Sequence, residues 1–178
     1  MNDLKHKFLL DETVTFLNHG SYGACPVPIF EDYQTWQKKL EQQPVKFLKT
    51  DIWNALRNSR LSLSEFVGCN EDEILFFHNP TSAIANVINS LQLNEGDEVL
   101  MTDHEYGALV RQWKLWGEKN KVNVIQQKIP VPVTSKKEFV ENFFRGVTKK
   151  TKVIFISQIT SPTAVSYTHL TLPTRRGV

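Results

Sequence analysis

Three short polar segments follow apolar runs in this sequence, and each carries side chains that could bind or transform a small molecule. They are HNPTS at 78–82, TDHEY at 102–106 and TSPT at 160–163. Imidazole, hydroxyl, carboxylate and phenol groups donate or accept hydrogen bonds, and imidazole also moves protons near neutral pH. The pattern therefore predicts a ligand cleft built from the ends of several strands.

The segment at 78–82 begins a predicted helix, PTSAIANVINSL at 80–91. The first N–H groups of a helix lack partners within it and carry a partial positive charge, which suits a phosphate group. The hydroxyls of Thr81 and Ser82 would add two donors to such a site. Because serine and threonine also cap helices, N-capping by Thr81 or Ser82 is the simpler interpretation of this segment alone.

The other two segments carry groups that could meet a ring or an oxygen atom. His104 and Tyr106 could stack on a planar ligand, and His104 could also transfer a proton. A histidine that only bonds a loop carbonyl accounts for His104 equally well. Thr160 and its hydroxyl-bearing neighbours could donate to a ligand oxygen or merely meet solvent at a strand end.

A further polar segment, LNHGSYG at 17–23, contains Asn18, His19 and Gly20. Glycine lets the backbone turn sharply or approach a ligand closely. The segment therefore predicts either a simple turn or a loop beside a ligand, and its residues alone do not separate the two.

Apolar periodicity predicts the elements that must position these groups. The predicted helices span 51–68, 80–91, 106–121 and 135–147, and the predicted strands span 73–78, 98–103, 122–131 and 152–159. Asp51 is the expected N-cap of the first helix and Gly68 its end, while Ser135 and Glu138 predict a capping box. Apolar strands that alternate with helices predict an α/β fold with a covered parallel sheet, whose ligands bind at the carboxyl ends of the strands.

Residues 1–50 differ from this pattern. A stretch punctuated by Gly and Pro at 16–28 is predicted to be extended, and 29–42 is predicted to form an amphipathic helix that ends before Pro44. We interpret this part as an N-terminal arm and helix in front of the main domain.

Composition excludes several classes of function. Charged residues make up 22% of the 178 residues and the formal net charge is +2, so nucleic acid is not an expected partner. The sequence has no apolar run long enough for a membrane span and no signal peptide, which predicts a cytoplasmic protein. Cys25 and Cys69 lack the spacing of metal ligands, so no metal is expected.

The order and content of these segments resemble the class V pyridoxal-phosphate enzymes of the aminotransferase superfamily. FLNHGSYGACPVPIFEDYQTWQKKLEQQPVKFL at 16–48 is similar to the isopenicillin N epimerase-like group, and NPTSAIANVI, TDHEYGALVRQW and ISQITSPT follow in the family's order. The resemblance covers roughly residues 14–164. It implies a three-layer αβα large domain, truncated and preceded by an N-terminal arm and helix.

The resemblance also implies a cofactor, pyridoxal 5'-phosphate (PLP), and roles for particular residues. Thr81 and the backbone around Ser82 would hold the phosphate, His104 would stack on the pyridine ring, and Thr160 would contact the phenolic oxygen. Asn18, His19 and Gly20 would lie near the substrate carboxylate, with Tyr106 as a further wall.

The implied substrate is a small molecule, an α-amino acid whose side chain the sequence does not identify, and it loses its α-proton while the cofactor withdraws electrons. Epimerisation, transamination and lyase chemistry share that step, so the sequence does not choose among them. A cysteine desulfurase or C–S lyase of the same superfamily is one alternative. A short chain that binds a phosphate ligand or a partner without catalysis is another. The family further implies a homodimer.

The end of the chain does not continue the pattern. VSYTHLTLPT at 165–174 matches the translation of a transposase-type sequencing adapter, and Ala164 stands where the resembled family usually has glycine. We therefore predict an arm and helix at 1–50, a partial PLP-binding domain at 51–164 and a non-native tail at 165–178. The family's Schiff-base lysine has no counterpart, because no lysine follows Lys152.

Overall fold

The structure, a computed structural model, describes residues 4–133, 135–164 and 166. The chain divides into two compact units, one up to Leu75 and one from Phe76. This division differs from the predicted boundary after residue 50. The physical reason is that helical backbone runs without a linker through that point, so the helix that follows stays with the N-terminal unit.

The N-terminal unit is helical after its extended arm. Its helices are α1 at Val27–Gln42, the short α2 at Pro44–Lys46 and α3 at Ile52–Val67, with a π-helical turn at Phe47–Asp51 and 3-10 turns at Lys5–Lys7 and Glu71–Glu73. The predicted helices at 29–42 and 51–68 are thus confirmed.

The C-terminal end of α3 agrees with the prediction, and its N-terminal end does not. Gly68 ends the helix in the left-handed conformation, with φ +76°. The predicted N-cap at Asp51 is wrong, because its backbone is already helical and its side chain makes no capping hydrogen bond. A helix that continues from a preceding turn leaves no unpaired N–H groups for a cap to satisfy.

The C-terminal unit is a three-stranded parallel sheet with helices between its strands. Its elements are α4 at Pro80–Ser90, β1 at Glu98–Thr102, α5 at Gly107–Asn120, β2 at Asn123–Gln127, α6 at Lys136–Phe144 and β3 at Thr151–Phe155. The strand order is β2-β1-β3, and both pairs are parallel. The predicted α/β class with a parallel sheet is confirmed.

Alternation along the central strand separates two cores. Val99 and Met101 on β1 pack with Ile88 of α4 and Trp113 of α5. Leu100 faces the other way and packs with Phe139 and Phe143 of α6. Successive strand side chains point to opposite faces, so one buried strand needs a helical layer on each side. The sheet therefore lies between two helical layers, as the predicted three-layer αβα domain requires.

The predicted strand at 73–78 is wrong. Its apolar residues Leu75, Phe76 and Phe77 are exposed, and no described residue pairs with them in a sheet. Apolar β-formers specify a strand only when a neighbouring strand accepts their backbone hydrogen bonds. The part of the chain that the structure describes supplies no such neighbour.

The predicted cap of α6 and the predicted tail both concern the C-terminal unit. The hydroxyl oxygen of Ser135 accepts a hydrogen bond from the backbone N–H of Glu138 at 3.1 Å, which confirms the Ser135 half of the capping box. The predicted adapter-derived tail at 165–178 lies outside the described residues, apart from Ser166 in an isolated bridge with Ile159.

None of the helices described is both long and apolar enough to cross a membrane.

Ala164 adopts a left-handed conformation, with φ +51°, and its N–H donates to the carbonyl of Thr160 at 2.8 Å. This conformation costs an L-residue about 1–2 kcal/mol, whereas glycine adopts it freely. We expect Ala164→Gly to raise the free energy of unfolding of the 178-residue chain by about 1 kcal/mol, measured by urea denaturation.

Gly96 provides the matched reverse substitution. Its φ is +87° and a Cβ placed on it would meet nothing within 4 Å, so Gly96→Ala tests conformation without a clash. We expect Gly96→Ala to lower the free energy of unfolding by a similar amount. If Gly96→Ala destabilises while Ala164→Gly changes nothing, residue 164 is not left-handed in solution.

Candidate functional site

The predicted site residues of the C-terminal unit follow the carboxyl ends of β1 and β3 or begin helix α4. β1 lies between the other two strands and ends at Thr102, followed at once by His104 and Tyr106. β3 ends at Phe155, and Thr160 follows five residues later. His104 and Thr160 are 7% and 1% exposed, so both polar side chains are enclosed rather than solvated.

Helix α4 brings its N-terminus toward the same edge. Its C-terminus leads through a short loop to the start of β1, and Ile84 and Ile88 pack it onto the sheet. The N-cap is Asn79, whose side-chain oxygen accepts from the backbone N–H of Ser82 at 2.8 Å. Capping by Thr81 or Ser82 is therefore wrong. Because Asn79 supplies the cap, the hydroxyls of Thr81 and Ser82 are not needed for it.

His104 is fixed by its neighbours in the loop after β1. Its backbone N–H donates to the hydroxyl oxygen of Thr102 at 3.2 Å, and its Nε2 lies 3.5 Å from Oδ1 of Asp103. The same Asp103 oxygen accepts from the backbone N–H of Ile129 at 3.0 Å. Asp103 therefore ties the histidine loop to the segment that follows β2.

Glu105 is the buried acid of this edge, with 5% of its surface exposed. One carboxylate oxygen accepts from the Thr102 hydroxyl at 2.7 Å, and the other accepts from the N–H and the hydroxyl of Ser157 at 3.0 and 2.5 Å. Thr102 and Glu105 lie in the TDHEY segment, but neither they nor Ser157 were predicted individually as site residues. Nothing in residue type marks them, because their contact depends on the pairing of β1 with β3.

Thr160 and Tyr106 complete the edge in different ways. The hydroxyl oxygens of Thr160 and Thr163 lie 2.6 Å apart, within the turn that follows β3. The carbonyl of Tyr106 accepts from Leu109 and Val110 at the start of α5, while half of the tyrosine's surface is exposed. Tyr106 is thus anchored by its backbone and leaves its side chain accessible.

Asn18, His19 and Gly20 belong to the N-terminal unit, where all three are exposed. The His19 ring contacts Phe16 with 4.7 Å between centroids, and its Nδ1 accepts from the backbone N–H of Ala24 at 3.5 Å. The carbonyl of Asn18 accepts from Tyr22 at 3.0 Å. The segment is a turn, which is one of the two predicted alternatives, and its role toward a substrate stays a prediction.

A cleft of about 540 Å³ in the C-terminal unit lies near the amino edge of the sheet. Its charged lining residues include Glu95 and Lys121, which pair with each other at 2.9 Å. Among the residues that the structure describes, no group of three or more His, Cys, Asp and Glu side chains is arranged to hold a metal ion. The charged groups Glu95 and Lys121 of this cleft pair with each other, whereas the carboxyl edge encloses His104 and Thr160, so the carboxyl edge is the stronger candidate site.

Comparison with known proteins places this architecture in a family. The model of the family described as Aminotransferase class-V matches residues 29–167. The chain belongs to the class V aminotransferase family. This confirms the predicted family, and the match extends across both compact units.

Individual relatives share the sequence or the fold. Isopenicillin N epimerase from Amycolatopsis lactamdurans is 32% identical over 170 residues, which are 94% of this chain and 41% of that protein. A probable chloroplastic L-cysteine desulfhydrase from Arabidopsis thaliana is 24% identical over 163 residues, or 84% of this chain and 34% of that protein. The chain thus spans well under half the length of the curated relatives it matches.

The solved structures include a C-DES mutant with glycine covalently linked to its PLP cofactor. It superposes with a TM-score of 0.75 at 18% identity, covering 88% of this chain and 41% of that one. The likeness confirms the predicted fold of a PLP-dependent enzyme, again over part of its length. The family and this fold together confirm PLP as the cofactor predicted from the sequence.

The residues at the carboxyl edge fit this group chemically. The start of α4 offers the N–H of Thr81 and the hydroxyls of Thr81 and Ser82, because Pro80 has no N–H and the N–H of Ser82 already donates to Asn79. His104 offers a buried imidazole for a planar ring, and Thr160 an enclosed hydroxyl for an oxygen. A phosphate, a ring and a ring oxygen would each find a complementary group along one sheet edge.

Proposed function

We propose that this chain is the N-terminal, cofactor-holding part of a PLP-dependent enzyme that removes the α-proton of an amino acid, of the epimerase or aminotransferase type. The observation that carries the proposal is the enclosed His104 at the end of β1, on the edge that also receives Thr160 and the start of α4. Membership of the class V aminotransferase family supports it.

Each residue of the edge has a separate role in this proposal. Thr81 would hold the phosphate through its N–H and hydroxyl, and Ser82 through its hydroxyl, since the Ser82 N–H donates to Asn79. His104 would cover one face of the pyridine ring. Thr160 would donate to the phenolic oxygen, and Tyr106 would form an accessible wall beside it. When bound, the cofactor supplies an electron sink for the amino acid's α-carbon.

The substrate carboxylate and the proton transfer need further groups. We propose that Asn18, His19 and Gly20 contact the carboxylate. A lysine is needed to move the α-proton, and none follows Lys152 in this chain. We place that lysine, and the acidic partner of the pyridine nitrogen, in the part of the enzyme that corresponds to the remaining length of the relatives.

The first test is to determine the DNA sequence of the source locus across codon 164 by a method that attaches no transposase-type adapter to the DNA. We expect a glycine codon at 164, then within a few tens of codons an acidic residue, and further on a lysine in a loop. A genome that encodes VSYTHLTLPTRRGV followed by a stop codon would remove the catalytic assignment for this chain and favour a non-catalytic binding role.

The second test uses the protein encoded by that locus, supplied with PLP. Proton NMR in D₂O should show loss of the α-proton signal from a panel of amino acids. Appearance of the D-enantiomer identifies an epimerase, whereas an oxo acid formed together with a new amino acid identifies an aminotransferase. Absence of α-proton exchange with every amino acid contradicts the proposed function.

A cysteine desulfurase or C–S lyase is the second candidate. The similarity to a probable L-cysteine desulfhydrase favours it, because that relative matches nearly as much of this chain as the epimerase does. Release of sulfide or formation of enzyme-bound persulfide from cysteine would select this candidate. We also propose that the whole enzyme is a cytoplasmic homodimer, which light scattering and cell fractionation would test.

A further inference from the structure

Beyond the last paired residues of β1 and β3, one carboxylate joins the two chain segments. The parallel ladder ends at the pair Met101 and Phe155. Past that pair, Glu105 accepts hydrogen bonds from Thr102 on the β1 side and from Ser157 on the β3 side. We call these three residues the Glu105 clasp.

We propose that Glu105 is a positioning residue that holds His104 and the Thr160 segment in register for cofactor binding. The inference rests on the proposed function. It assigns a role to an acid that the proposed chemistry does not otherwise use, and that neither stacks on a ring nor binds a phosphate.

On the β1 side, the clasp acts through a hydroxyl. Thr102 has one hydroxyl proton, which it donates to Glu105, so the lone pairs of its oxygen remain to accept the N–H of His104. Glu105 therefore orients the hydroxyl that fixes the backbone of the stacking histidine. Without the carboxylate, the Thr102 hydroxyl would be free to rotate.

On the β3 side, the clasp holds the start of the segment that leads to Thr160. The carboxylate accepts both the N–H and the hydroxyl of Ser157, which fixes the backbone and the side chain of that residue together. Thr160 lies three residues further along the chain and is almost fully buried. A shift of Ser157 would therefore move the Thr160 hydroxyl relative to His104.

Glu105→Gln keeps the size of the side chain but removes one acceptor. If the new amide nitrogen faces Ser157, it opposes the Ser157 N–H, which keeps only its longer contact, 3.3 Å, to the other oxygen. If it faces Thr102, the Thr102 hydroxyl accepts from it and its own proton loses its acceptor. Each arrangement breaks one side of the clasp, and losing a hydrogen bond to a buried charged group costs enough to change affinity about tenfold or more.

Glu98 provides a matched control at the opposite end of the same strand pair. Its carboxylate accepts from the hydroxyls of Thr148 at 2.6 Å and Thr151 at 3.4 Å, so it also joins β1 to the chain around β3. Both contacts reach one carboxylate oxygen, which the amide oxygen of Gln can replace. Glu98→Gln therefore removes the same charge from the same strand pair without opposing donors, at the amino edge, far from the proposed cofactor site.

The experiment uses the protein encoded by the complete locus and two measurements. In the apo-protein, hydrogen exchange of the His104 and Ser157 amides should become at least about tenfold faster in Glu105→Gln and stay unchanged in Glu98→Gln. In PLP titrations, Glu105→Gln should raise the dissociation constant at least about tenfold and shift the absorbance maximum of the bound cofactor, whereas Glu98→Gln should leave both within twofold of wild type.

The outcomes separate the two levels of the proposal. If wild type binds no PLP, the proposed function fails, and the inference that rests on it fails with it, although the exchange data still report whether the clasp exists. If wild type binds PLP and Glu105→Gln binds it equally well with the same absorbance, the inference is overturned while the proposed function stands. Equal losses of affinity in both variants would show general destabilisation and would also overturn it.

Discussion

Replacing His104 with alanine is expected to weaken PLP binding by about tenfold or more in the protein encoded by the complete locus. The substitution removes a buried ring that would cover one face of the pyridine, and aromatic pairs are worth about 0.5–1.5 kcal/mol beyond the area they bury. Titration with PLP, followed by absorbance or by quenching of tryptophan fluorescence, measures the dissociation constant.

His104→Phe is the matched variant for this prediction. It keeps a planar ring but loses the approach of Nε2 to Asp103 at 3.5 Å. We expect His104→Phe to bind PLP within a few-fold of wild type, because stacking and not charge is the proposed role. Wild-type affinity in His104→Ala, with the protein folded, would remove His104 from the proposed cofactor site.

Gly117→Ala is expected to lower the free energy of unfolding of the chain by about 2–3 kcal/mol. Gly117 is buried near the end of α5, where a Cβ would lie 2.7 Å from the carbonyl oxygen of Val122 and 2.9 Å from a methyl group of Val124. Val122 and Val124 belong to the turn into β2 and to the strand itself, so these atoms cannot move without shifting the sheet. Urea denaturation followed by circular dichroism measures the change.

Gly107→Ala in the same helix is the control for this prediction. A Cβ on Gly107 would meet only an Arg111 side-chain nitrogen at 3.8 Å, which is an ordinary contact. We expect Gly107→Ala to leave the stability unchanged or to raise it by up to about 1 kcal/mol, because alanine favours helix. Similar midpoints for the two variants would show that α5 does not pack against β2 at Gly117.

The structure also changes how the strand-end motifs are interpreted. Taken alone, Thr81 and Ser82 were best explained as helix caps, and His104 was explained equally well by a loop contact. Asn79 fills the cap and His104 is buried among polar groups at the sheet edge, so the simpler explanation of Thr81 and Ser82 no longer holds. Their functional roles remain proposals that the cofactor titrations address.

The sequence by itself determined the features that depend on near neighbours in the chain. The helices of the C-terminal unit, the strands β1, β2 and β3 and the Ser135 cap all follow from contacts within about four residues or from periodicity. Alternation of the elements was enough to predict the parallel sheet, and the segment order was enough to suggest the family. These predictions succeeded because secondary-structure patterns and caps are local.

Only the tertiary structure decided the features that join distant segments. Glu105 and Ser157 are 52 residues apart, and their contact exists because β1 pairs with β3. The segment at 73–78 has the residues of a strand but no described neighbour to pair with, so it stays outside the sheet. Burial and strand pairing depend on which parts of the chain meet, and no single segment of the sequence carries that information.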